Sequence, residues 1–342
     1  LMRVFGATSD ILDYSLTYTG ITSLGFPFLI LATGGSSLIR ADGSPRFSMF
    51  CTLAGAVINT ILDPLFIFGF DMGMAGAAWA TVIGQVVSGF MVIGYLTRFK
   101  TVKLTWKSLG LRPGYCLQVV ALGMSPFCNQ LAMMVVQIVL NNSLTYYGGL
   151  SDYGSEIPLA CAGIISKVGM IYFAVVIGIA QGLQPIVSFN YGAKKYDRVK
   201  ETVKKASMAS LIISLAAFVV FQLFPRQIIS IFGSGSEEYF LFAERYFHIY
   251  MFFTFLNWLQ CIASNFFTSI GKAIRGVFLS LTRQIIFLLP LILLLPLVMG
   301  IDGIMYAAPA ADLIAAILAA VFLKKEFGLM DRESGKEVFA GK

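Results

Sequence analysis

Two stretches of this chain spell one pattern. DMGMAGAAWATVIGQVVSG (Asp71 to Gly89) and VMGIDGIMYAAPAADLIAA (Val298 to Ala316) pair Gly73 with Gly300, Gly76 with Gly303, Ala80 with Ala307, Gly84 with Ala311 and Ser88 with Ala315, always at the same interval. A duplicated segment obliges both halves of a fold to build the same local unit, and many secondary transporters are assembled from such repeated halves. Gly76, Ala80, Gly84 and Ser88 recur every four residues and share one helix face. Small residues at that spacing let helix backbones approach closely in lipid, so these four read as scaffold.

The copies sit among apolar runs. Of 342 residues, 57% are hydrophobic and 13% charged, with a mean hydropathy of +0.80; soluble domains carry about 25% charged residues. Runs long enough to cross about 30 Å of hydrocarbon are expected at 14–38, 47–69, 74–97, 115–143, 158–180, 206–224, 240–268, 276–298 and 303–323. Internal prolines (Pro27, Pro64, Pro126, Pro290, Pro296, Pro309) fit kinked membrane helices and not the period-two alternation of barrel strands. The expected fold class is an all-α polytopic membrane protein.

A net charge of +7 raises the question of nucleic acid, but its distribution answers it. Basic residues fill alternate loops: Arg40 and Arg46; Arg98, Lys100, Lys103, Lys107 and Arg112; Lys194 to Lys205; Lys272 and Arg275; Lys324 and Lys325. The intervening loops hold Asp71, Asp152, Glu156, Glu237, Glu238 and Asp302. This alternation follows the positive-inside rule and places the carboxyl end in the cytoplasm of a cell inner (plasma) membrane protein. The expected partner of the basic loops is membrane lipid, with no nucleic acid. Cys51, Cys116, Cys128, Cys161 and Cys261 lie in or beside apolar runs with no CxxC spacing, as packing residues and not as metal ligands or disulfides. No cleavable signal is visible, and a multispan protein needs none.

Both copies of the repeat run from an acidic loop to a basic one, so the duplication is parallel. Three spans accompany the first copy and six the second. About 110 upstream residues, or three helices of bilayer length, would equalise the halves, and a twelve-helix protein shortened at its amino end is expected. On that reading residues 1–98 form the second half of an N-terminal bundle, 99–114 a cytoplasmic linker, 115–325 a six-helix C-terminal bundle and 326–342 a cytoplasmic tail.

Asp63 is the ionisable residue of most interest, because it lies deep in a span. A carboxylate there costs about 2.5 to 3.5 kcal/mol on insertion scales and marks function by default. Asn59 shares its helix face. From the outer helix ends Asp63 is about 9 Å deep, Asn59 about 15 Å, Thr81 about 11 Å and Gln85 about 17 Å, so the four polar groups can meet. Such a carboxyl can take up a proton or a dehydrated cation; it can equally serve a structural network beside the Pro64 kink. The copied helix replaces Thr81 by Ala308 and sets Asp312 opposite Gln85, so the ion site is expected in the first half alone. Asp312 can line a cavity or compensate Lys167, both readings standing. Tyr18, Asn129, Gln130, Met133, Gln137, Asn257, Gln260 and Asp312 are candidate cavity residues, since mixed polar, aromatic and thioether walls suit loosely specific solutes. His248, the sole histidine, is expected to be satisfied at an interface. No HExxH, nucleophile elbow or Walker motif is present. Neither a catalytic set nor a metal or organic cofactor is expected, and an H+ or Na+ gradient is the expected energy source.

RADGSPRF (Arg40 to Phe47), INTILDPLFIF (Ile58 to Phe68), GMAGAAWATVIGQ (Gly73 to Gln85), QGLQPIVSFNYGAKKYDRVK (Gln181 to Lys200) and SIGKAIRGVFLSLTRQIIFLLPLILLLP (Ser269 to Pro296) together resemble the multidrug and toxic compound extrusion (MATE) family, in its DinF-like bacterial branch. The resemblance implies a two-bundle fold of twelve helices, nine of them in this chain. It also implies an antiporter that exchanges H+ or Na+ for small organic, often cationic, drugs or metabolites by alternating access. It gives Asn59, Asp63 and Thr81 the place of the first-half cation site, whose remaining Asp would sit on a first helix. A sister branch carries an acid in the seventh helix, and GMSPFCNQLAMMVVQIVLNN (Gly123 to Asn142) has none. A lipid-linked oligosaccharide flippase, of related fold, is the alternative, and a basic cavity would mark it. A monomer is expected.

Overall fold

A computed structural model describes residues 9–101, 110, 112–151, 153–154, 156–232 and 236–340. Most of the expected linker, with Lys103 and Lys107, and the loop residue Asp152 lie outside the described residues. The described chain is helical without strands, as a lipid-facing backbone requires when each segment must satisfy its own N–H and C=O groups. It divides into two compact units, Leu1–Leu111 and Arg112–Lys342.

The first unit begins with α1 (Ser9–Ser23) and α2 (Phe26–Ala41), bent by 56°. Local chemistry makes the break. Pro27 occupies the first turn of α2 and has no N–H to continue the ladder. Leu24 N and Gly25 N close tight turns on Ile21 O (3.1 Å) and Thr22 O (3.0 Å). Helix α3 (Pro45–Pro64) passes into a π-turn at Leu65–Gly69 just after Pro64, and α4 (Gly73–Leu96) returns against it. The expected small-residue face is what joins them. A Cβ on Gly84 would stand 2.6 Å from Gly55 O, and one on Gly55 would stand 2.7 Å from Gly84 O. Ser88 Oγ donates to Cys51 O across the same contact (3.0 Å). In lipid the hydrophobic effect does little to hold helices together, so this close van der Waals approach carries the pairing.

The second unit comprises α5 (Pro113–Gly149), α6 (Glu156–Gly192), α7 (Tyr196–Leu223), the short α8 (Pro225–Phe232), α9 (Glu237–Tyr250) and α10 (Thr254–Ser269). There follow α11 (Ala273–Leu281), a π-turn at Thr282–Leu288, α12 (Leu289–Met299) and α13 (Ile301–Ala340). Its core is a belt of Phe242, Tyr246, Phe247, Ile165 and Val176 against Ala307, Ala308 and Ala311 of α13. A second cluster gathers Phe266, Phe267, Leu279 and Ala319.

Among the described residues seven helices have the length and apolarity to cross a bilayer, and the bent α1–α2 pair makes an eighth. The run expected as one span at 240–268 is instead two helices, α9 and α10, separated by a turn at Met251, Phe252 and Phe253. Phe252 stands to Gly25 as Gly300 stands to Gly73, so the helix break itself belongs to the repeat. Gly73 and Gly300 each enter their repeated helix with positive φ (52° and 59°). The tail expected from 326 continues α13 as helix to Ala340, and Glu326 is buried.

At the end of α2, Asp42 ties the turn to the end of α4. It accepts hydrogen bonds from Tyr95 Oη (2.8 Å), Lys100 N (3.0 Å), Thr101 N (3.0 Å) and the Thr101 hydroxyl. Burial pushes its carboxyl up, but those donors outweigh it and hold Asp42 well below the usual carboxylate range. The second unit makes the corresponding tie with the charges exchanged. Lys272 and Arg275, next to a positive-φ Gly271, both bond Glu326 of α13.

Candidate functional site

Helix α3 carries Asn59 and Asp63 one turn apart, and the close packing of α4 brings Thr81 beside them. Asn59 Nδ2 donates to Asp63 Oδ1 (3.3 Å) and to Thr81 Oγ1 (3.4 Å), while Thr81 gives its own proton to Ala77 O (3.0 Å). Asp63 is half-buried and has no ion-pair partner among the described residues. The small residues thus position the site: Gly84 lets α3 and α4 approach until Asn59 reaches across. A single-face carboxylate held by one amide donor can take a proton on its remaining lone pairs without first breaking an ion pair.

Gln85 does not join this group. Its Oε1 is buried without a hydrogen-bond partner and lies against Gly25, where an added Cβ would meet it at 2.0 Å. One helical turn below Thr81, Gln85 is thus packed on the break between α1 and α2. Tyr18, half-buried on α1, offers its backbone carbonyl to the Thr22 hydroxyl (2.8 Å).

The second unit holds its own membrane charge. Asp312 on α13 is paired with Arg283 of the π-turn (Nε to Oδ1, 2.5 Å) and also accepts from Asn257 of α10. Lys167, the compensating partner considered from sequence, is exposed on α6 and makes no such pair, so Asp312 is neutralised by Arg283. Phe173 lies under the Arg283 guanidinium (6.0 Å to the ring centroid). Next to it Tyr172 Oη contacts Ser214 Oγ (2.7 Å) and donates to Thr254 O (3.0 Å), capping the first turn after the α9–α10 break. Sequence reading passed over Arg283, Tyr172, Ser214 and Thr254. The available signal was a Thr282-Arg283-Gln284 triplet inside an otherwise apolar run.

The remaining candidates scatter. Gln260 donates to Leu279 O (3.2 Å), joining α10 to α11. Asn129 points to Met133 Sδ (3.9 Å) and Gln137 to Asn141 (2.9 Å) along α5, with Gln130, Met133 and Gln137 exposed. His248 Nδ1 pairs with Gln222 Oε1 (2.8 Å), the satisfied interfacial histidine expected. Among the described residues no cluster of three or more His, Cys, Asp or Glu is placed to hold a metal ion.

A family model described as MatE matches residues 1–65 and 129–294. The chain is 26% identical over 321 residues to Multidrug export protein MepA of Staphylococcus saprophyticus, covering 93% of this chain and 69% of the relative. To the protein of that name in Staphylococcus aureus it is 23% identical over 320 residues, with the same coverage. Among solved structures it resembles one of MATE in the bent conformation (TM-score 0.86, 19% identity, 97% of this chain and 73% of that chain). It also resembles a MOP superfamily transporter from Pyrococcus furiosus (TM-score 0.88, 20% identity, 96% and 73%). At such identities the structural likeness speaks for the fold.

Proposed function

Because the chain belongs to the MATE family of membrane transporters, we propose that it is a secondary efflux antiporter, moving small organic solutes outward in exchange for H+. The supporting observation is Asp63: a carboxylate inside a span, half-buried, hydrogen-bonded to Asn59 and unpaired by any cation among the described residues. Protonation removes its charge and weakens the charge-assisted bond from Asn59, and through Asn59 the link to Thr81 of α4. The packing of α3 on α4 is then coupled to proton occupancy, which is what alternating access requires of an ion site. Sodium is the less favoured ion. Asn59 turns a donor, not an oxygen, toward both neighbours, whereas a dehydrated hard cation needs converging oxygens.

The relatives' name, Multidrug export protein, supports solutes of more than one chemical kind. The basic loops support a plasma-membrane protein with its carboxyl end in the cytoplasm, residues 99–114 linking the two bundles and lipid as the surrounding partner. No enzymatic step is assigned. The test is solute efflux driven by a pH gradient in the natural gene product bearing this sequence, with Asp63→Asn. We expect at least a tenfold loss of rate; efflux that still follows the pH gradient at the parental rate overturns the reading.

A further inference from the structure

We infer that Arg283, held by Asp312, is a recognition point for the acidic group of amphipathic aromatic solutes. This rests on the transport reading above and deepens it by naming a substrate chemistry.

The pair is asymmetric in access. Asp312 is only 3% exposed, whereas Arg283 keeps 14%. The carboxylate is occupied from two sides, by Arg283 Nε and by Asn257. Arg283 spends only Nε, and its two terminal amino groups make no hydrogen bond among the described residues. The accessible edge of the cluster is therefore cationic, with donors in excess of acceptors. A surplus of donors at membrane depth calls for a ligand that brings acceptors. The free edge of a guanidinium matches a carboxylate in bidentate geometry.

Surroundings specify the rest of the ligand. Phe173 faces the guanidinium at 6.0 Å to the ring centroid and itself packs against the Tyr172 ring. Aromatic walls around a fixed cation favour a flat aromatic acid. Depth excludes a phospholipid headgroup as the natural occupant. Arg283 is about 15 Å from the start of α11 and Asp312 about 17 Å from the start of α13, near mid-bilayer. Local backbone agrees: Arg283 belongs to a π-turn, and Asn257 follows the α9–α10 break. Irregular backbone at such depth occurs where protein encloses it or a cavity adjoins it, and π-turns recur at functional sites. Stability alone does not account for the pair, since well-packed apolar residues commonly replace a buried ion pair at no loss.

The test uses rhodamine B, which carries a free carboxylate, and its ethyl ester, which shares the ring system and lacks that charge. Binding to the purified protein is followed by fluorescence anisotropy, and efflux is measured in cells. Two variants are compared, the neutral pair Arg283→Gln with Asp312→Asn, and the charge exchange Arg283→Asp with Asp312→Arg. The second keeps an ion pair and so controls for folding. We expect the acid-to-ester ratio of affinities, and of export rates, to fall at least tenfold in both variants. Equal loss of acid and ester, acid binding unaffected by either variant, or acid binding restored by the charge exchange would overturn the inference. So would a parent protein that handles the ester but not the acid, which leaves the transport reading standing. Failure to export either dye counts against the transport reading itself.

Discussion

Asp63 and Asp312 are carboxylates set within the spans of a duplicated scaffold, and the two halves treat them differently. In the first unit Asp63 is half-buried, touched by a single amide and free of cations among the described residues. In the second, Asp312 is buried, ion-paired with Arg283 and bonded by Asn257. The scaffold around them is shared. Both units have a broken helix (Leu24–Gly25; Met251–Phe253) and a positive-φ glycine before the repeated helix, whereas their π-turns (Leu65–Gly69; Thr282–Leu288) fall at positions the repeat does not equate. Gly76 and Gly303 make matching close approaches, to Phe66 and Leu295. Duplication preserved the backbone devices and let the charges diverge. The repeat sets Pro290 where the first half has Asp63, Ala308 for Thr81 and Asp312 for Gln85. One half therefore keeps a carboxylate with no ion-pair partner among the described residues, while the other has bound its carboxylate to a fixed cation.

Substitutions can break that contrast directly. Asp312→Asn strands Arg283 beside an uncharged partner, and breaking a buried pair from one side costs about 3 to 5 kcal/mol. Asp63→Asn removes no ion pair and should leave thermal unfolding in detergent nearly unmoved while abolishing pH-driven efflux. Comparable melting shifts for the two variants would dissolve the distinction. The shared scaffold is tested at Gly55, where an added Cβ meets Ser88 Oγ at 2.0 Å and Gly84 O at 2.7 Å. Gly55→Ala should separate α3 from α4 at a cost of about 1 to 3 kcal/mol and slow efflux, because Asn59 then reaches Thr81 less well. A parental melting temperature and efflux rate would show that the contact is slack.

A smaller effect is expected at Gly73 and Gly300. Space is open around both, so alanine there costs only the backbone strain of a positive φ, about 1 to 3 kcal/mol. The two single variants should melt alike if the repeat is equivalent at this turn, and unequal shifts would show that it is not. The smallest effect concerns pH at the tie made by Asp42. The folded Asp42 carboxyl is depressed below its ordinary value of 3.8, so its contribution is present above that value and is lost as pH falls through the folded value. Amide exchange at Lys100 and Thr101 should therefore stay protected from neutral pH down to about pH 4, where an unperturbed carboxylate begins to protonate. Loss of protection already at pH 6 would contradict the tie.

Much of this was legible in the sequence because lipid imposes simple rules. Long apolar runs gave the helices, alternate basic loops their alternation, and Gly76, Ala80, Gly84 and Ser88 the packing face. Asn59, Asp63 and Thr81 could be grouped from helical spacing and depth, and the structure brings those three together. Gln85 met the same criteria and lies elsewhere. Depth and face place a side chain only to within a turn, and the Gly25 break offers its long amide another seat. Asp312 was visible as an acid within a span, but its partner was not, Lys167 being only one of the readings left open. Lys167 and Arg283 are both cations within apolar runs, and only the crossing of α13 with the π-turn selects Arg283.

By itself the sequence determined a helical membrane protein with a parallel internal repeat and an acid inside the first repeated unit. Periodicity, hydropathy and charge alternation are local properties, summed along one chain direction. Only the tertiary structure decided which acid remains unpaired and which is neutralised. Ion pairing depends on contacts a few ångströms long between helices far apart in sequence, as between Arg283 of the π-turn and Asp312 of α13.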